Sequence, residues 1–117
     1  MALRNQPYLP LYVQDYLTDE KLNECCAATQ GVYIKLICLM HKSKDYGKIL
    51  LKQKYKQIES KEQSKGYAFA NQLANHLTFS IDTIYSAVQE LIREEVLYYD
   101  NDFICQRRMI KDNEISL

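Results

Sequence analysis

The residues of this chain that could do chemistry are mostly cations. Lys52, Lys54, Lys56, Lys61 and Lys65 crowd one polar stretch, and Arg107 with Arg108 follow near the C-terminal end. Cations grouped like this neutralise phosphates, and the counterions they release make such binding depend on salt. The lysine stretch also has a plainer reading, a solvated loop that keeps the chain soluble. A second group is Thr83, Ser86 and Gln89, spaced by three. On a helix that spacing makes one strip of side chains able to hydrogen-bond base edges. Asp82 and Glu90 flank the strip and would repel phosphates. DNA contact is therefore expected mainly from the lysines and the two arginines, with the acidic helix turned to a protein partner.

Enzyme chemistry is not signalled. His41 and His76 have no Ser, Cys or Asp arrangement around them that makes a triad. There is no phosphate loop and no carboxylate pair with a role. The cysteines are Cys25, Cys26, Cys38 and Cys105, and none forms a C-x-x-C pair. Cys38 and His41 lie one helical turn apart, but two ligands do not complete a tetrahedral metal site. No cofactor, metal or catalytic residue is expected. Tyr98 and Tyr99 could stack on bases of a single strand. On a β-strand only one of the two can face outward. Tyr8, Tyr12 and Tyr16, spaced by four, are expected to pack the N-terminal lead.

The chain has 117 residues and zero formal net charge, so one domain is expected and a globally basic DNA-coating protein is excluded. The zero hides a segregation. From Lys35 to Tyr67 nine lysines stand against Asp45, Glu59 and Glu62, an excess of six positive charges. From Ala68 to Cys105 six acids stand against Arg93 alone, an excess of five negative charges. The longest apolar run, Val32 to Met40, is broken by Lys35 and falls short of the ~20 residues of a membrane span. The N-terminus lacks the pattern of a signal peptide. A cytoplasmic protein without membrane contact is expected.

The elements that must position these residues follow from local patterns. Pro7 and Pro10 favour an extended lead, and Asp15 can cap a short turn running towards Leu22. A first long helix is expected from Asn23 to Lys42. It is apolar around most of its girth, so it is either the central core helix or also an oligomer contact. Gly47 ends that segment, and Lys48 to Leu51 reads as a short strand. The lysine stretch reads as an exposed loop or loosely held helix. A second helix is expected from Tyr67 to Leu77, a break at Thr78, Phe79 and Ser80, and a third helix with Ser80 as its N-cap. Ile81, Ile84, Tyr85, Val88, Leu91, Ile92 and Val96 share one face of that helix. Asp82, Thr83, Ser86, Gln89, Glu90 and Arg93 fall opposite. Val96–Tyr99 and Phe103–Gln106 read as a β-hairpin turned by Asp-Asn-Asp. The tail resumes helical character with Ile110 and Ile115 lacking partners, as if the chain continued. The expected fold is mainly α (α+β): a winged helix-turn-helix with three main helices and a small antiparallel β-sheet, the wing. Residues 1–107 form the domain, and 108–117 begin a C-terminal helix or linker.

Three stretches carry a likeness to a known family. YLPLYVQDYLTDEKL, then GVYIKLI in the first long helix, and the closing RRMIKDNEISL resemble the N-terminal domain of phage and prophage replisome-organiser (replication initiation) proteins. The resemblance implies a winged helix related in shape to DnaD-like primosome proteins. It implies binding of origin DNA, double- or single-stranded, and recruitment of replication proteins such as a helicase or helicase loader in a bacterial host. The stretch from Lys52 to Lys65 departs from the family pattern. Two other functions suit the same elements: a protein-interaction or self-association module, for instance a homodimer, and a winged-helix transcriptional regulator with a discrete operator.

Overall fold

A computed structural model describes residues 6–52 and 62–116 of the chain. The prolines hold the lead out of helix until α1, Val13–Thr18. Asp15 does not cap a turn, contrary to the sequence expectation. Asp19 does so, accepting from the Leu22 N–H and starting α2, Glu20–Asn23. The long helix α3 runs Ala27–Lys42 and begins later than the expected Asn23. Its N-cap, Cys26, is extended, and its N–H donates to the Glu90 carboxylate at 3.2 Å. That partner is far away in sequence, so no local pattern reports it.

After α3 the chain turns at Gly47, φ +83°, into β1, Lys48–Leu50. Helix α4 spans Glu62–Leu73, earlier at both ends than the expected Tyr67–Leu77. Beyond Leu73 the bonds tighten, with Asn75 donating to the Gln72 carbonyl and His76 to that of Leu73. The break before the next helix is thus longer than three residues. Helix α5, Ile81–Arg93, is capped by Ser80 as expected, the hydroxyl accepting from the Thr83 N–H at 3.2 Å. It ends in a Schellman arrangement: Val96 donates to the Leu91 carbonyl and Glu95 to that of Ile92. Glu95 takes φ 62°, a position that ordinarily favours glycine.

The expected hairpin is present as β2, Tyr98–Asp100, and β3, Phe103–Cys105. The three strands form an antiparallel sheet in the order β1-β3-β2. Ile49, Ile104 and Tyr99 lie in register, as do Lys48, Cys105 and Tyr98. Bonds from Leu51 to the Asp102 carbonyl and from Gln106 to that of Gly47 extend the β1–β3 pairing at both ends. Helix α6, Arg107–Ser116, closes the chain.

The result is a mixed α+β fold, mainly helical with a small sheet. Helix α5 packs against both α3 and α4. Its apolar stripe puts Ile84, Val88 and Leu91 into a core shared with Val32, Leu36 and Met40 of α3 and Phe69 and Leu73 of α4. Each such side chain, fully buried, contributes about 1.5–3 kcal/mol. Most of the apolar girth of α3 is thereby covered from within the chain, with Ile34 and Leu39 half-buried and Cys38 exposed. The sheet closes the core with Ile104, and Tyr99 stacks on Phe69 with ring centroids 5.9 Å apart. Met109 of α6 joins the same core. Ile110 is not without a partner: it lies so close to Gly47 that a Cβ there would come within 2.8 Å of its Cγ1. Among the described residues, no helix is long and apolar enough to cross a membrane.

Candidate nucleic-acid interface

Of the expected phosphate-binding lysines, Lys54, Lys56 and Lys61 lie outside the described residues. Lys52 is exposed just after β1. Its backbone N–H donates to the side-chain oxygen of Gln72 at 2.7 Å, and the Gln72 amide donates to the Leu50 carbonyl at 2.8 Å. This buried glutamine of α4 fixes where the strand ends. Lys65, on α4, reaches the hairpin. Its ammonium donates to the Asn101 carbonyl at 2.7 Å and sits 5.4 Å from the centre of the Tyr99 ring.

The two arginines part company. Arg108 is committed inside the chain, 3.0 Å from the Asp15 carboxylate, 3.8 Å from that of Asp112, and 4.0 Å above the Tyr12 ring. It ties α6 to α1 and is poorly placed to take a phosphate. Arg107 is exposed, with its guanidinium 4.9 Å from the centre of the Tyr98 ring.

The strip Thr83–Ser86–Gln89 is not one free edge. Thr83 is half-buried in the cap, its hydroxyl accepting from Ser80 at 2.9 Å. Gln89 is half-buried against Gly66 of α4 and donates to the Tyr85 hydroxyl at 3.0 Å. Ser86 alone of the three stands exposed, close in sequence to exposed Asp82.

The acidity of α5 also has an internal use. Glu90 accepts from the Cys26 N–H at the head of α3. The Thr29 hydroxyl first, then Cys26 and the Arg93 guanidinium, hold its carboxyl below the usual carboxylate range. A carboxylate at a helix N-terminus also meets the positive end of the dipole. Glu94 pairs with Arg93 at 3.6 Å and Glu95 with Lys21 at 3.8 Å. Glu90 therefore belongs to the packing of α3 on α5, while Asp82 and Glu95 stand exposed. Burial first, and then Glu90 and Glu94, push the neighbouring Cys25 thiol up to about 11.

The pleat sorts the tyrosines as its geometry demands. Tyr99 packs inward with Ile49 and Ile104, and Tyr98 shares the opposite face with Lys48, Phe103 and Cys105. On that outer face the Lys48 ammonium lies 5.3 Å from the centre of the Phe103 ring. Cys105 is fully buried beneath its neighbours.

Two clefts meet at Arg107. One, of about 320 Å³, is lined by Lys21, Arg107, Arg108 and Lys111 with Asp19 and Glu95. The other, of about 350 Å³, is lined by Ile92, Leu97, Tyr98 and Tyr99 with Arg107 and Glu95. Lys111 reads from sequence as one basic cluster with Arg107 and Arg108, and it shares their helix. Lys21 and Lys48 were not singled out from sequence; only the fold brings Lys21 to the cleft of Arg107 and Lys48 to the sheet face of Tyr98.

Among the described residues, no three His, Cys, Asp or Glu side chains lie close enough to hold a metal ion. Cys38 is exposed, whereas His41 is buried. Its Nε2–H donates to the Gln6 carbonyl at 2.8 Å and its Nδ1 lies 2.7 Å from the Tyr46 hydroxyl, which pins the lead to α3. No family model, no curated protein and no solved structure matches this chain.

Proposed function

We propose that the chain is a DNA-binding winged-helix domain that serves replication initiation in a phage or prophage, binding origin DNA and recruiting proteins such as a helicase or helicase loader in the host cytoplasm. The observation that carries this reading is the sheet order. The strand between the first long helix and α4 pairs with the second hairpin strand, giving the order β1-β3-β2 beside the α4–α5 pair. That is the arrangement expected of a helix-turn-helix with a wing. Cations gather on the same hairpin: Lys65 at its turn, Lys48 and Arg107 on its outer face. The replication role rests on the resemblance of residues 8–22, 31–37 and 107–117 to replisome-organiser proteins. Fluorescence anisotropy with origin duplex and with single strand, at low and moderate salt, tests the reading. Affinity should fall as salt rises. Absence of binding to both at low salt would reject it.

A second reading is favoured by one further observation. Tyr8, Leu11, Tyr12, Val13 and Leu17, in the lead and α1, are all exposed, and α1 buries none of its residues. Apolar groups clustered in this way mark protein contacts. A protein-interaction or self-association role is compatible with the first, since an initiator must hold both DNA and partners. Light scattering separates them: a strict monomer at high concentration argues against self-association.

A further inference from the structure

We propose that Arg107 is the centre of a single-stranded DNA site, in which a base stacks at Tyr98 and the adjoining phosphate enters the basic cleft of Lys21 and Lys111. The inference rests on the DNA-binding reading and specifies which form of DNA the hairpin face takes.

Three observations converge on Arg107. It lies over the Tyr98 ring at 4.9 Å, on the sheet face turned away from the core. It lines both clefts described above, one basic and one aromatic. Its neighbours also leave cations available. Lys111 is exposed, and among the described residues Lys21 pairs only with exposed Glu95, at 3.8 Å. Exposed pairs of this kind are worth little and exchange readily. Arg108 is held at once by Asp15 at 3.0 Å, Asp112 at 3.8 Å and the Tyr12 ring at 4.0 Å, so Lys21, Arg107 and Lys111 supply the charge. Against them stand Asp19 and Glu95.

The same face continues beyond Tyr98. Phe103 carries Lys48 over its ring, a second aromatic and cation pair on the neighbouring strand. In the register Tyr98 opposes Cys105, so Phe103 is its diagonal neighbour. Diagonal positions on a sheet face lie about 7–8 Å apart, a reach suited to successive nucleotides of an extended strand. A base can add to the guanidinium plane above Tyr98, or displace it while the guanidinium moves to the phosphate.

Duplex DNA suits this face less well. Its base faces are already stacked, so a ring platform adds affinity only for unpaired bases. The α5 approach to a duplex also carries the exposed Asp82, whereas Asp100, opposite Phe103 on the Tyr98 face, stands against either form of DNA.

The test is anisotropy of a labelled oligothymidylate against a labelled duplex of equal length, using the whole chain. Tyr98→Leu keeps apolar bulk and removes the ring, and should weaken single-strand binding about 5- to 150-fold while changing duplex binding little. Arg107→Ala, at an exposed side chain, should do the same, and serves if Tyr98→Leu does not fold. Lys21→Ala with Lys111→Ala should flatten the single-strand salt slope by about 1.4, two phosphates at ~0.7 each. Asn75→Ala, at an exposed side chain beyond α4 and outside both clefts, is the control and should leave single-strand binding unchanged. Wild-type binding to duplex but not to single strand overturns the single-strand site and leaves the DNA-binding reading standing. Unchanged single-strand binding by Tyr98→Leu and Arg107→Ala, both folded, also overturns it. Failure of the wild-type chain to bind either DNA removes both.

Discussion

Substituting Gly47 with alanine should destabilise the chain by about 3 kcal/mol, whereas Gly31→Ala should stabilise it by up to about 1 kcal/mol. The chemical change is the same methyl group, and the opposite signs come from the surroundings. Gly47 has φ +83°, where an L side chain meets its own carbonyl at a cost of about 1–2 kcal/mol. Its Cβ would also fall 2.8 Å from Ile110 Cγ1, 3.0 Å from the Ile110 backbone nitrogen and 3.2 Å from Met109 Cβ. The first of these could rotate away; the backbone of α6 could not without moving the helix. Overpacking of that kind adds about 1–3 kcal/mol. Gly31 lies inside α3, and among the described residues a Cβ there meets only Phe79 Cζ at 3.7 Å, an ordinary contact. It would gain the helix propensity of alanine without strain. At about 4 °C per kcal/mol for a chain of this size, Gly47→Ala should melt about 12 °C lower and Gly31→Ala up to about 4 °C higher. Urea and thermal unfolding followed by circular dichroism measure both. Two alanine variants that agree within about 0.5 kcal/mol would refute the docking of α6 on Gly47. Because α6 carries Arg107, a folded Gly47→Ala protein should also bind single-stranded DNA less tightly.

Other outcomes follow from the same contacts. Glu90→Gln should lower the melting temperature at neutral pH, because α3 loses its charged cap. The carboxyl is held below its ordinary value of 4.5, so its contribution is present above that pH and is lost as pH falls through the folded value. Wild type and Glu90→Gln should therefore converge in acid, and identical melting at neutral pH refutes the cap. For Cys25 the sign is reversed. Its thiol is pushed from 9.0 up to about 11, so its contribution is complete below pH 9 and disappears towards pH 11. Melting measured across that window should fall more steeply for wild type than for Cys25→Ala. With Ellman's reagent, Cys26 and Cys38 should react rapidly and Cys25 and Cys105 only on unfolding; four rapid thiols would contradict the burial. Glu95→Gly should stabilise by about 0.5–1 kcal/mol, since glycine suits the φ of 62° at the end of α5. The exposed pair with Lys21 that it removes should offset little of this. A lower melting temperature would mean that this pair matters more than the backbone.

Helix α5 was legible in the sequence because its information is local. Ser80 and Thr83 are three residues apart, and the apolar residues from Ile81 to Ile92 repeat at helical spacing. The hairpin was legible for the same reason, through two β-prone runs around Asp100, Asn101 and Asp102, with Asn101 at φ 55° in the turn. The period of two also required that one of Tyr98 and Tyr99 face outward, without saying which. The ends of α3 and α4 were misjudged where the deciding partner is remote, as Glu90 is for Cys26.

The proposed site was legible only in part. Arg107 and Arg108 look equivalent in sequence, yet Asp15 takes one and Tyr98 lies beneath the other. Gln89 reads as exposed by periodicity, but α4 lies across it. Lys21, Arg107 and Lys111 share a cleft although the first is remote from the others in sequence. By itself the sequence determined the kinds of element, their order and the buried stripe of α5, because capping, periodicity and turn chemistry act between near neighbours. The tertiary structure alone decided which charges are consumed within the chain and which stay available to a ligand. Burial and pairing are set by side chains that meet across the fold, and no short-range pattern records those meetings.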